Sequence, residues 1–483
     1  MKKFLRILAL AAGLAVASCT AGPPAPYGPT PTPQQLAWQK MEMNMFCHFG
    51  PNTFTGRDWG LGTETEDLFS PTDLDCRQWT STAKAAGFKG IILTAKHHDG
   101  FCLWPNPVTT HTVAQSSWRA GKGDVLKDLS EACAADGLKL GVYISPWDRN
   151  SPNYGTPAYN DLFVRTLESA LGSYGPVFEQ WFDGANGEGP GGKKQTYDWP
   201  LFNQTVRRMQ PDAVIFSDVG PGCRWMGNER GEAGRTNWSR LDIGNFEPGA
   251  GAPPRDTLSQ GQRNGALWIP AETDVSIRPR WFWRASENGQ VKTAAKLLQI
   301  YYTSVGRNSV LLLNVPPDTT GRINPLDSAR LMELRTVLDD IFKENLARGA
   351  RAKASATRRG FGTSNLLDED YDTYWAAPEG TRTASLTFTL PEERTFNRVM
   401  LQEYIPLGQR ISSFRVDAQV DGTWKEIASE TTVGYKRIVL TETVTTRSVR
   451  LNITGARACP VLNNFGLYLD RFLPSEEGQG GGL

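Results

Sequence analysis

The feature that most constrains the fold is a repeated succession of a helical segment, a glycine and a short apolar run. A helical pattern that starts at Asp75 ends at Gly87 and is followed by the apolar run 90–95. Further pairs of predicted helix and strand are 124–136 with 139–144, 158–171 with 177–182, and 201–209 with 213–216. Glycine commonly ends helices. Strands that are apolar along their whole length indicate a parallel sheet covered by helices on both faces.

The number of such strands approaches that of a closed barrel. Candidate strands at 46–50, 266–269 and 310–313, with a helix over 291–305 between the last two, extend the count. An open, doubly wound sheet is the main alternative, but no Gly-x-Gly-x-x-Gly motif follows the first strand. We therefore predict an α/β fold with a (β/α)8-like barrel over residues 34–346.

The pattern changes after a long predicted helix over 324–346. From Ala347 the helical periodicity is lost and short alternating runs begin, such as residues 384–390. Such runs predict a β-sandwich over 347–473. The last residues, 474–483, are rich in Glu and Gly and are expected to be flexible.

The first 19 residues are typical of an export signal. Basic residues precede an apolar stretch over 7–17 that is too short to span a bilayer. The stretch ends in Ala-Val-Ala-Ser-Cys, which resembles the cleavage site of bacterial lipoproteins and implies a lipid on Cys19; ordinary signal-peptide cleavage is the alternative. Residues 20–33 hold six prolines and are expected to form a tether. We therefore expect an exported lipoprotein of the bacterial cell envelope, attached to a membrane through Cys19.

Charge and composition limit the classes of partner and substrate that the chain is expected to bind. Lys plus Arg total 52 against 51 for Asp plus Glu, so no strong field attracts polyanions, and we expect no nucleic-acid partner. A neutral substrate fits better. The 15 Trp and 13 Tyr would suit the apolar faces of sugars, although large aromatic residues are more often part of the core. The seven cysteines contain no Cys-x-x-Cys pair, which disfavours a zinc or redox cluster.

Candidate catalytic residues follow the apolar strands, where parallel barrels place their active sites. These polar residues are His48, Lys96, His97, His98, Asp99, Tyr143, Asp148, Asp183, Asp218 and Glu229. Hydrolysis of a glycoside in its usual form needs one ionised and one protonated carboxyl group. Asp183 follows a strand directly, and Gly184 would keep the approach to it open, although a capping aspartate has the same pattern.

A metal site is the alternative use of the histidines. His48, His97 and His98 could supply nitrogen ligands, but the chain lacks His-Glu-x-x-His and holds only four histidines. We therefore expect no metal and no cofactor in catalysis.

Three motifs occur in the order typical of one enzyme family. They are His-Phe-Gly-Pro-Asn-Thr-Phe at 48–54, Lys-His-His-Asp-Gly-Phe at 96–101 and Trp-Phe-Asp-Gly-Ala at 181–185. From about Met43 to the end of the sandwich the chain resembles glycoside hydrolase family 29, the α-L-fucosidases. The resemblance implies a fucosylated glycan as substrate and Asp183 as the nucleophile of a retaining reaction. It also implies a fucose pocket made of His48, Trp59, Glu64, His97, His98, Tyr143, Trp181 and Trp283.

The acid/base residue has no universal motif in that family. Trp-Met-Gly-Asn-Glu at 225–229 is similar to the subgroup that acts on α-1,3 and α-1,4 linked fucose, which implies Glu229 as acid/base. Glu232 and Glu247 are alternatives. The segments 145–149 and 273–278 resemble the same subgroup and imply Lewis-type glycans as substrates; Asp148 and Arg278 within them would either brace the pocket or touch sugar.

The C-terminal region resembles the coagulation-factor type C, or galactose-binding, fold through the segment 365–375. The domain would either bind carbohydrate or only pack against the barrel. Asp368, Asp370 and Asp372 could hold a structural calcium ion, and turn chemistry explains them equally well.

Two other functions stay open at this point. A catalytically silent lectin would keep the aromatic and histidine pocket but lose a carboxylate, and both Asp183 and Glu229 are present. Another exo-glycosidase, such as a hexosaminidase, could use the same scaffold because the fold does not determine the sugar.

Overall fold

The computed structural model describes residues 22–244, 246–248 and 253–472. The predicted signal with Cys19 and the predicted tail over 474–483 lie outside the described residues. Within the described residues, no helix combines the length and the hydropathy that a membrane crossing needs.

The N-terminal domain is an α/β barrel. Its barrel strands are β1 Met43–Cys47, β2 Gly90–Lys96, β3 Lys139–Ile144, β4 Val177–Trp181, β5 Val214–Ser217, β6 Cys223–Trp225, β9 Ala271–Ser276 and β10 Ser309–Asn314. A small outer pair is β7 Arg240–Leu241 with β8 Leu267–Trp268. The helices are α1 Pro33–Gln39, α2 Pro51–Thr55, α3 Cys76–Ala86, α4 Val125–Asp136, α5 Ala158–Leu171, α6 Trp199–Met209, α7 Arg255–Gln260, α8 Ala294–Thr303 and α9 Pro325–Phe342. The barrel strands are parallel and close in the order β1-β10-β9-β6-β5-β4-β3-β2, which confirms the predicted fold class.

Local sequence signals set the helix ends near the predicted positions. Asp75 and Asp124 accept hydrogen bonds from backbone N–H groups in the first turns of α3 and α4. Gly87 and Gly137 follow these helices with φ of 91° and 73°, a conformation that suits glycine. The chain can therefore turn directly from each helix into the next buried strand.

Two strand predictions need correction, and two barrel strands were not predicted. The first strand covers Met43–Cys47 instead of 46–50, because Gly50 leads directly into α2 at Pro51. The run 266–269 forms only the outer strand β8. The barrel strands Ala271–Ser276 and Cys223–Trp225 are not indicated by the apolar pattern, because the first carries polar side chains into the barrel and the second is only three residues long.

The C-terminal domain is an antiparallel β-sandwich, as predicted. Its strands are β11 Arg351–Ala354, β12 Trp375–Ala376, β13 Ala384–Gln402, β14 Ile411–Val420, β15 Thr423–Glu430, β16 Arg437–Ala456, β17 Val461–Leu462 and β18 Asn464–Tyr468. The main sheet runs β11-β13-β16-β14-β15, and β18 pairs with β13. Register shifts interrupt the pairing of the long strands β13 and β16, so these strands can bend around a core that includes Phe388 and Phe465.

The two domains meet through polar contacts at the N-terminal end of β10. Asn308 Oδ1 accepts a hydrogen bond from the Tyr435 backbone N–H at 2.8 Å, and the Asn237 backbone N–H donates to Thr432 Oγ1 at 2.9 Å. Asn308 directly precedes β10. The contact therefore lies at the end of that strand opposite to the end where parallel barrels place their catalytic residues.

The Pro-rich segment predicted to be a tether contacts both domains where it is described. The Tyr27 backbone N–H donates to Leu407 O at 3.1 Å, and Arg410 donates to Ala25 O at 2.6 Å. Arg240 of the barrel donates to Tyr27 O at 2.9 Å. The described part of this segment is thus bound to the folded domains and does not form a free spacer.

Candidate active site

Asp183 lies just beyond the C-terminal end of β4. Its Oδ2 accepts a hydrogen bond from Tyr143 Oη at 3.0 Å, and its Oδ1 accepts one from the Ala185 backbone N–H at 2.7 Å. His98 Nε2 lies 3.7 Å from Oδ2, and the Asp183 side chain is 26% exposed. Hydrogen bonds to both oxygens stabilise a carboxylate, and partial exposure leaves it open to a ligand. The arrangement suits a nucleophile.

The glycine next to Asp183 has a different role from the predicted one. A Cβ atom at Gly184 would overlap the carboxyl group of Asp218, which follows β5. Glycine is therefore needed here because Asp218 packs closely against the backbone, and not to open a path for substrate.

Three buried histidines lie beside Asp183. His48 follows β1, and His97 and His98 follow β2, which ends at Lys96. Because the strand has ended, the adjacent histidines can approach the same pocket, and their ring centroids are 4.1 Å apart. Burial lowers the pKa of His48 to about 3 and that of His98 to about 4, and it lowers the pKa of His97 well below its ordinary value. At neutral pH the three rings are uncharged hydrogen-bonding groups.

The hydrogen-bond network defines the orientation of His48. Asn314 Nδ2 donates to Ser276 Oγ at 2.9 Å and to Trp281 O at 2.8 Å, so its Oδ1 faces His48. His48 Nδ1 lies 2.9 Å from this oxygen and must therefore carry the proton. The Nε2 atom of the neutral ring is consequently an acceptor, which suits a sugar hydroxyl.

Aromatic rings form a continuous layer beneath these groups. Strand register places Tyr143, Trp181 and Phe216 side by side on β3, β4 and β5. The Trp181 ring stacks on Phe216 with centroids 4.0 Å apart and on Tyr143 with centroids 5.2 Å apart. Trp181 Nε1 donates to Glu272 Oε1 at 2.8 Å. The layer therefore fixes the tyrosine that hydrogen-bonds Asp183.

Glu229 lies at the exposed edge of the pocket, in the loop after β6. Trp281 Nε1 donates to its Oε2 at 3.3 Å. Desolvation raises the pKa of Glu229, the Trp281 hydrogen bond opposes the rise, and the negative charge of Asp183 adds to it. A carboxyl group that holds its proton more tightly is suited to act as an acid.

The alternative glutamates are placed less favourably. Glu232 lies 3.6 Å from Arg230 Nε as an ion pair, and Glu247 lies on an exposed loop. Glu229, by contrast, lies close enough to Asp183 for the charge of Asp183 to raise the pKa of Glu229.

A third carboxyl group in the pocket wall was not singled out by the sequence. Asp274 of β9 is buried and accepts a hydrogen bond from Trp225 Nε1 at 2.8 Å. Burial raises the pKa of Asp274 well above its usual range, and the negative charges of Glu229 and Asp183 raise it further. The motif 273–278 contains this residue, but only the fold shows that it faces the same pocket as the two predicted catalytic carboxylates.

Three residues predicted for the fucose pocket lie farther from Asp183 and the histidines than the others, or face other groups. Trp59 is 58% exposed, with its ring centroid 6.0 Å from that of His98, so it lies at the rim. Glu64 accepts backbone hydrogen bonds from Leu61 and Gly62 in its own loop.

Trp283 lies against the Arg278 guanidinium, whose carbon is 5.8 Å from the ring centroid. The tryptophan that contacts His48 is Trp281, with its ring centroid 4.9 Å from that of His48. The sequence did not indicate Trp281 as a pocket residue. The only hint of its role was that it lies two positions before Trp283.

Buried ion pairs brace the pocket from outside. Arg278 Nε lies 2.8 Å from Asp327 Oδ2, and both side chains are fully buried. Lys96 Nζ lies 3.2 Å from Asp148 Oδ2 and also donates to Ser145 O at 2.9 Å. The sequence left open whether Arg278 and Asp148 brace the pocket or touch sugar. In the structure, both residues form ion pairs that brace the pocket.

No cluster of three or more His, Cys, Asp or Glu side chains that could hold a metal ion occurs among the described residues. In the sandwich, Asp368 Oδ1 and Asp370 Oδ1 each accept a hydrogen bond from the backbone N–H two residues later, at 3.0 Å. These are turn contacts. A calcium site at these aspartates stays a hypothesis.

Comparisons with known proteins decide the family. Residues 27–340 match the model described as Alpha-L-fucosidase. The chain belongs to the alpha-L-fucosidase family. Residues 351–465 match the F5/8 type C domain, in agreement with the predicted second domain.

Relatives of this fucosidase family cover nearly the whole chain. An Arabidopsis thaliana protein named alpha-L-fucosidase 1 is 44% identical over 93% of this chain and 89% of its own length. An Oryza sativa relative, described as a candidate alpha-L-fucosidase 1, is 44% identical over 93% of this chain and 87% of its own. A Ruminococcus gnavus family 29 fucosidase, solved in complex with fucose, is 33% identical, has a TM-score of 0.88 and covers 94% of this chain and 97% of its own.

The predicted location in a bacterial cell envelope needs correction. The curated relatives with 44% identity are plant fucosidases and not bacterial lipoproteins. A basic start, an apolar stretch and small residues before cleavage are general features of export signals, so a cysteine at their end is weak evidence for lipidation. We therefore do not retain the envelope lipoprotein.

Proposed function

We propose that this fucosidase releases terminal α-L-fucose with net retention of configuration, with Asp183 as nucleophile and Glu229 as acid/base. In the first step Glu229 transfers its proton to the glycosidic oxygen, the C1–O bond to the leaving group breaks, and an Asp183 oxygen bonds to C1. In the second step Glu229 takes a proton from water, the water oxygen bonds to C1, and Asp183 leaves as a carboxylate. Atoms and charge balance over the two steps.

The observation that carries this proposal is the contrast between the two carboxyl groups of one pocket. Asp183 receives hydrogen bonds from Tyr143 and Ala185 and stays partly exposed, so its oxygens are positioned and accessible. Glu229 is desolvated beside Trp281, and the charge of Asp183 raises the pKa of Glu229. A positioned, accessible carboxylate suits the nucleophile, and a carboxyl group that holds its proton more tightly suits the acid.

The pocket also suits a neutral deoxy sugar. The uncharged rings of His48, His97 and His98 offer hydrogen bonds without a net charge, and His97 Nδ1 is buried with no hydrogen-bond partner among the described residues. We propose that these rings and Tyr143 hold the fucose hydroxyls. We also propose that the loops at the rim contribute Trp59, Glu64 and Trp283 to the same pocket.

We further propose α-1,3 and α-1,4 linked fucose of Lewis-type glycans as the substrate. The support is the resemblance of segments 145–149, 225–229 and 273–278 to the corresponding subgroup. Two of them supply groups at this pocket: Trp225 and Asp274 hydrogen-bond each other next to Glu229. The wall that faces the leaving group is thus built from the segments that carry the resemblance.

For the two domains we propose a division of labour. Residues 34–346 would perform catalysis, and residues 347–473 would support the barrel from the end opposite to the active site. Binding of a glycan or of calcium by the second domain would appear as a shift of its melting temperature on titration with galactose or CaCl2, against an EDTA control.

The experiment measures free fucose and its first-formed anomer. Purified enzyme is incubated with a Lewis-type trisaccharide and with 2'-fucosyllactose, beside the variants Asp183→Ala, Glu229→Ala and Glu232→Gln. We expect release from the Lewis glycan, the α anomer first by NMR, near-complete loss in Asp183→Ala, strong loss in Glu229→Ala and normal activity in Glu232→Gln.

Each part of the proposal can fail separately. Release from 2'-fucosyllactose alone would refute the linkage preference. First appearance of the β anomer would refute retention. Loss of activity in Glu232→Gln together with normal activity in Glu229→Ala would move the acid/base role to the other glutamate.

A further inference from the structure

Two glutamates lie inside the barrel, below the pocket and outside the catalytic steps described above. Glu179 belongs to β4 and Glu272 to β9, and both are fully buried. Each precedes a pocket residue by two positions, namely Trp181 and Asp274. Because side chains alternate along a strand, each glutamate points into the barrel on the same side as the pocket residue above it.

The hydrogen bonds of this pair run along the barrel interior. Trp38 Nε1 of α1 donates to Glu179 Oε2 at 2.7 Å, and Trp181 Nε1 donates to Glu272 Oε1 at 2.8 Å. The two carboxyl groups lie close enough for their charges to interact, and Glu272 Oε2 receives no donor from any group described. Two neighbouring carboxyl groups can hydrogen-bond each other only if one of them carries a proton.

The surroundings offer no positive charge to replace this proton. The other titratable groups that face the pair are Cys223 of β6, whose Sγ lies 3.6 Å from Glu179 Oε1, and Asp274 of β9. Arg224, the next residue on β6, directs its guanidinium to Leu258 O and Asn237 Oδ1 instead. Among the described residues, no ion pair includes Glu179 or Glu272. Two buried carboxylates without a cation would repel each other strongly.

The pair connects to the reaction through one ring. Glu272 holds the Trp181 indole N–H, the Trp181 ring stacks on Tyr143, and Tyr143 donates to Asp183. A change in the charge or position of Glu272 therefore reaches the nucleophile through two packed side chains.

We propose that Glu179 and Glu272 share one proton and act as a positioning pair that holds Trp181, and through it Tyr143, in the geometry that Asp183 needs. Burial raises the pKa of both groups, and the negative charge of Glu179 raises the pKa of Glu272 further. The proposal deepens the proposed function of Asp183, but its effect on stability does not depend on any catalytic role.

The sign of the pH effect follows from the raised pKa. In the unfolded chain both carboxyl groups lose their protons near their ordinary pKa of about 4, whereas the folded pair keeps one proton to higher pH. The stability that this proton contributes is complete in acid and decreases as the pH rises towards the pKa of the folded pair. A variant without this titration should therefore lose less stability between about pH 5 and pH 8 than the wild type.

The test compares Glu272→Gln, Glu179→Gln and Glu272→Leu. In Glu272→Gln the amide keeps an oxygen for Trp181 and supplies a donor to Glu179, so we expect activity within about threefold of the wild type at neutral pH. Its melting temperature relative to the wild type should rise steadily from pH 5 to pH 8, and Glu179→Gln should behave in the same way. Glu272→Leu removes the acceptor of Trp181 and should lower kcat about tenfold or more while changing KM less.

The results separate the two parts of the proposal. A melting-temperature difference in Glu272→Gln and Glu179→Gln that does not change with pH would overturn the shared proton. Unchanged kcat in Glu272→Leu, or a loss in Glu272→Gln as large as in Glu272→Leu, would overturn the positioning role. If Glu272→Leu fails to fold, the kcat of Glu179→Leu decides the same question. Should Asp183→Ala retain activity, the proposed function fails while the pH-dependent stability of the pair can still be observed.

Discussion

The two walls of the pocket differ in how the chain builds them. The β1–β4 wall consists of His48, His97, His98, Tyr143 and Asp183, and each of these residues lies on or just after an apolar strand. The β6/β9 wall consists of Trp225, Glu229, Asp274 and Trp281, which come from a three-residue strand, a polar strand and loops. The first wall holds the nucleophile and neutral rings, whereas the second holds two carboxyl groups with raised pKa values. The groups for binding and nucleophilic attack thus lie at strand ends. The carboxyl groups that hold protons owe their raised pKa values to burial in the tertiary structure.

The largest expected effect tests the support of the β6/β9 wall. Asp327→Ala leaves the fully buried Arg278 without its carboxylate. Breaking a buried ion pair costs about 3–5 kcal/mol, so the free energy of unfolding should fall by about that amount in urea denaturation. The matched control on the same helix α9 is Asp340→Ala, which removes an exposed pair with Lys343 and should leave the free energy of unfolding almost unchanged.

Equal losses in Asp327→Ala and Asp340→Ala would show that Arg278 does not brace this wall. The wall would then depend on the packing of its aromatic residues alone.

A smaller effect tests the β1–β4 wall. Tyr143→Phe removes the hydroxyl that donates to Asp183 while keeping the stacked ring. Hydrogen bonds to charged groups contribute about 1.5–3 kcal/mol, so kcat should fall about 10- to 150-fold. The control is Tyr174→Phe, which removes a similar Tyr–Asp hydrogen bond at Asp124, outside the pocket.

Steady-state kinetics on an aryl fucoside would measure both variants. We expect kcat to be unchanged in Tyr174→Phe. Wild-type kcat in Tyr143→Phe would mean that the Tyr143 hydroxyl does not act on Asp183.

The smallest effect separates two neighbouring tryptophans. Trp281→Phe removes the donor to Glu229, and because this hydrogen bond lowers the pKa of Glu229, its loss should move the basic limb of the kcat/KM profile to higher pH. The value of kcat/KM at the optimum should fall less than about tenfold. Trp283→Phe is the matched control, because its indole contacts Arg278 and not Glu229.

A shift of the basic limb in Trp283→Phe but not in Trp281→Phe would reverse the assignment that the structure supports. Trp283, and not Trp281, would then be the tryptophan that acts on Glu229.

The sequence predicted the barrel and the β1–β4 wall because each depends on local signals. The glycines after α3 and α4 and the apolar runs indicated strands, and His97, His98 and Asp183 follow such runs directly. The sequence did not indicate β9, because its inward residues Glu272 and Asp274 interrupt any apolar pattern. A strand is normally recognised by its apolar face, and here that face carries buried carboxyl groups.

The same reasoning explains which features of the site the sequence did not indicate. Trp281 and Trp283 have identical side chains two positions apart, and only the backbone path decides which ring meets His48. Gly184 has a role that depends on Asp218, which lies 34 residues later in the chain. Contacts of this kind arise from tertiary structure and have no local signal.

The most direct test of the central claim uses azide with Asp183→Ala and Glu229→Ala on an activated α-L-fucoside. Azide can replace the missing carboxylate in a nucleophile variant and attack C1 from that side, and it can instead attack the covalent intermediate in an acid/base variant. The account predicts β-L-fucosyl azide from Asp183→Ala and α-L-fucosyl azide from Glu229→Ala, each identified by NMR. The same anomer from both variants, or α-L-fucosyl azide from Asp183→Ala, would contradict the assignment of Asp183 as nucleophile and Glu229 as acid/base.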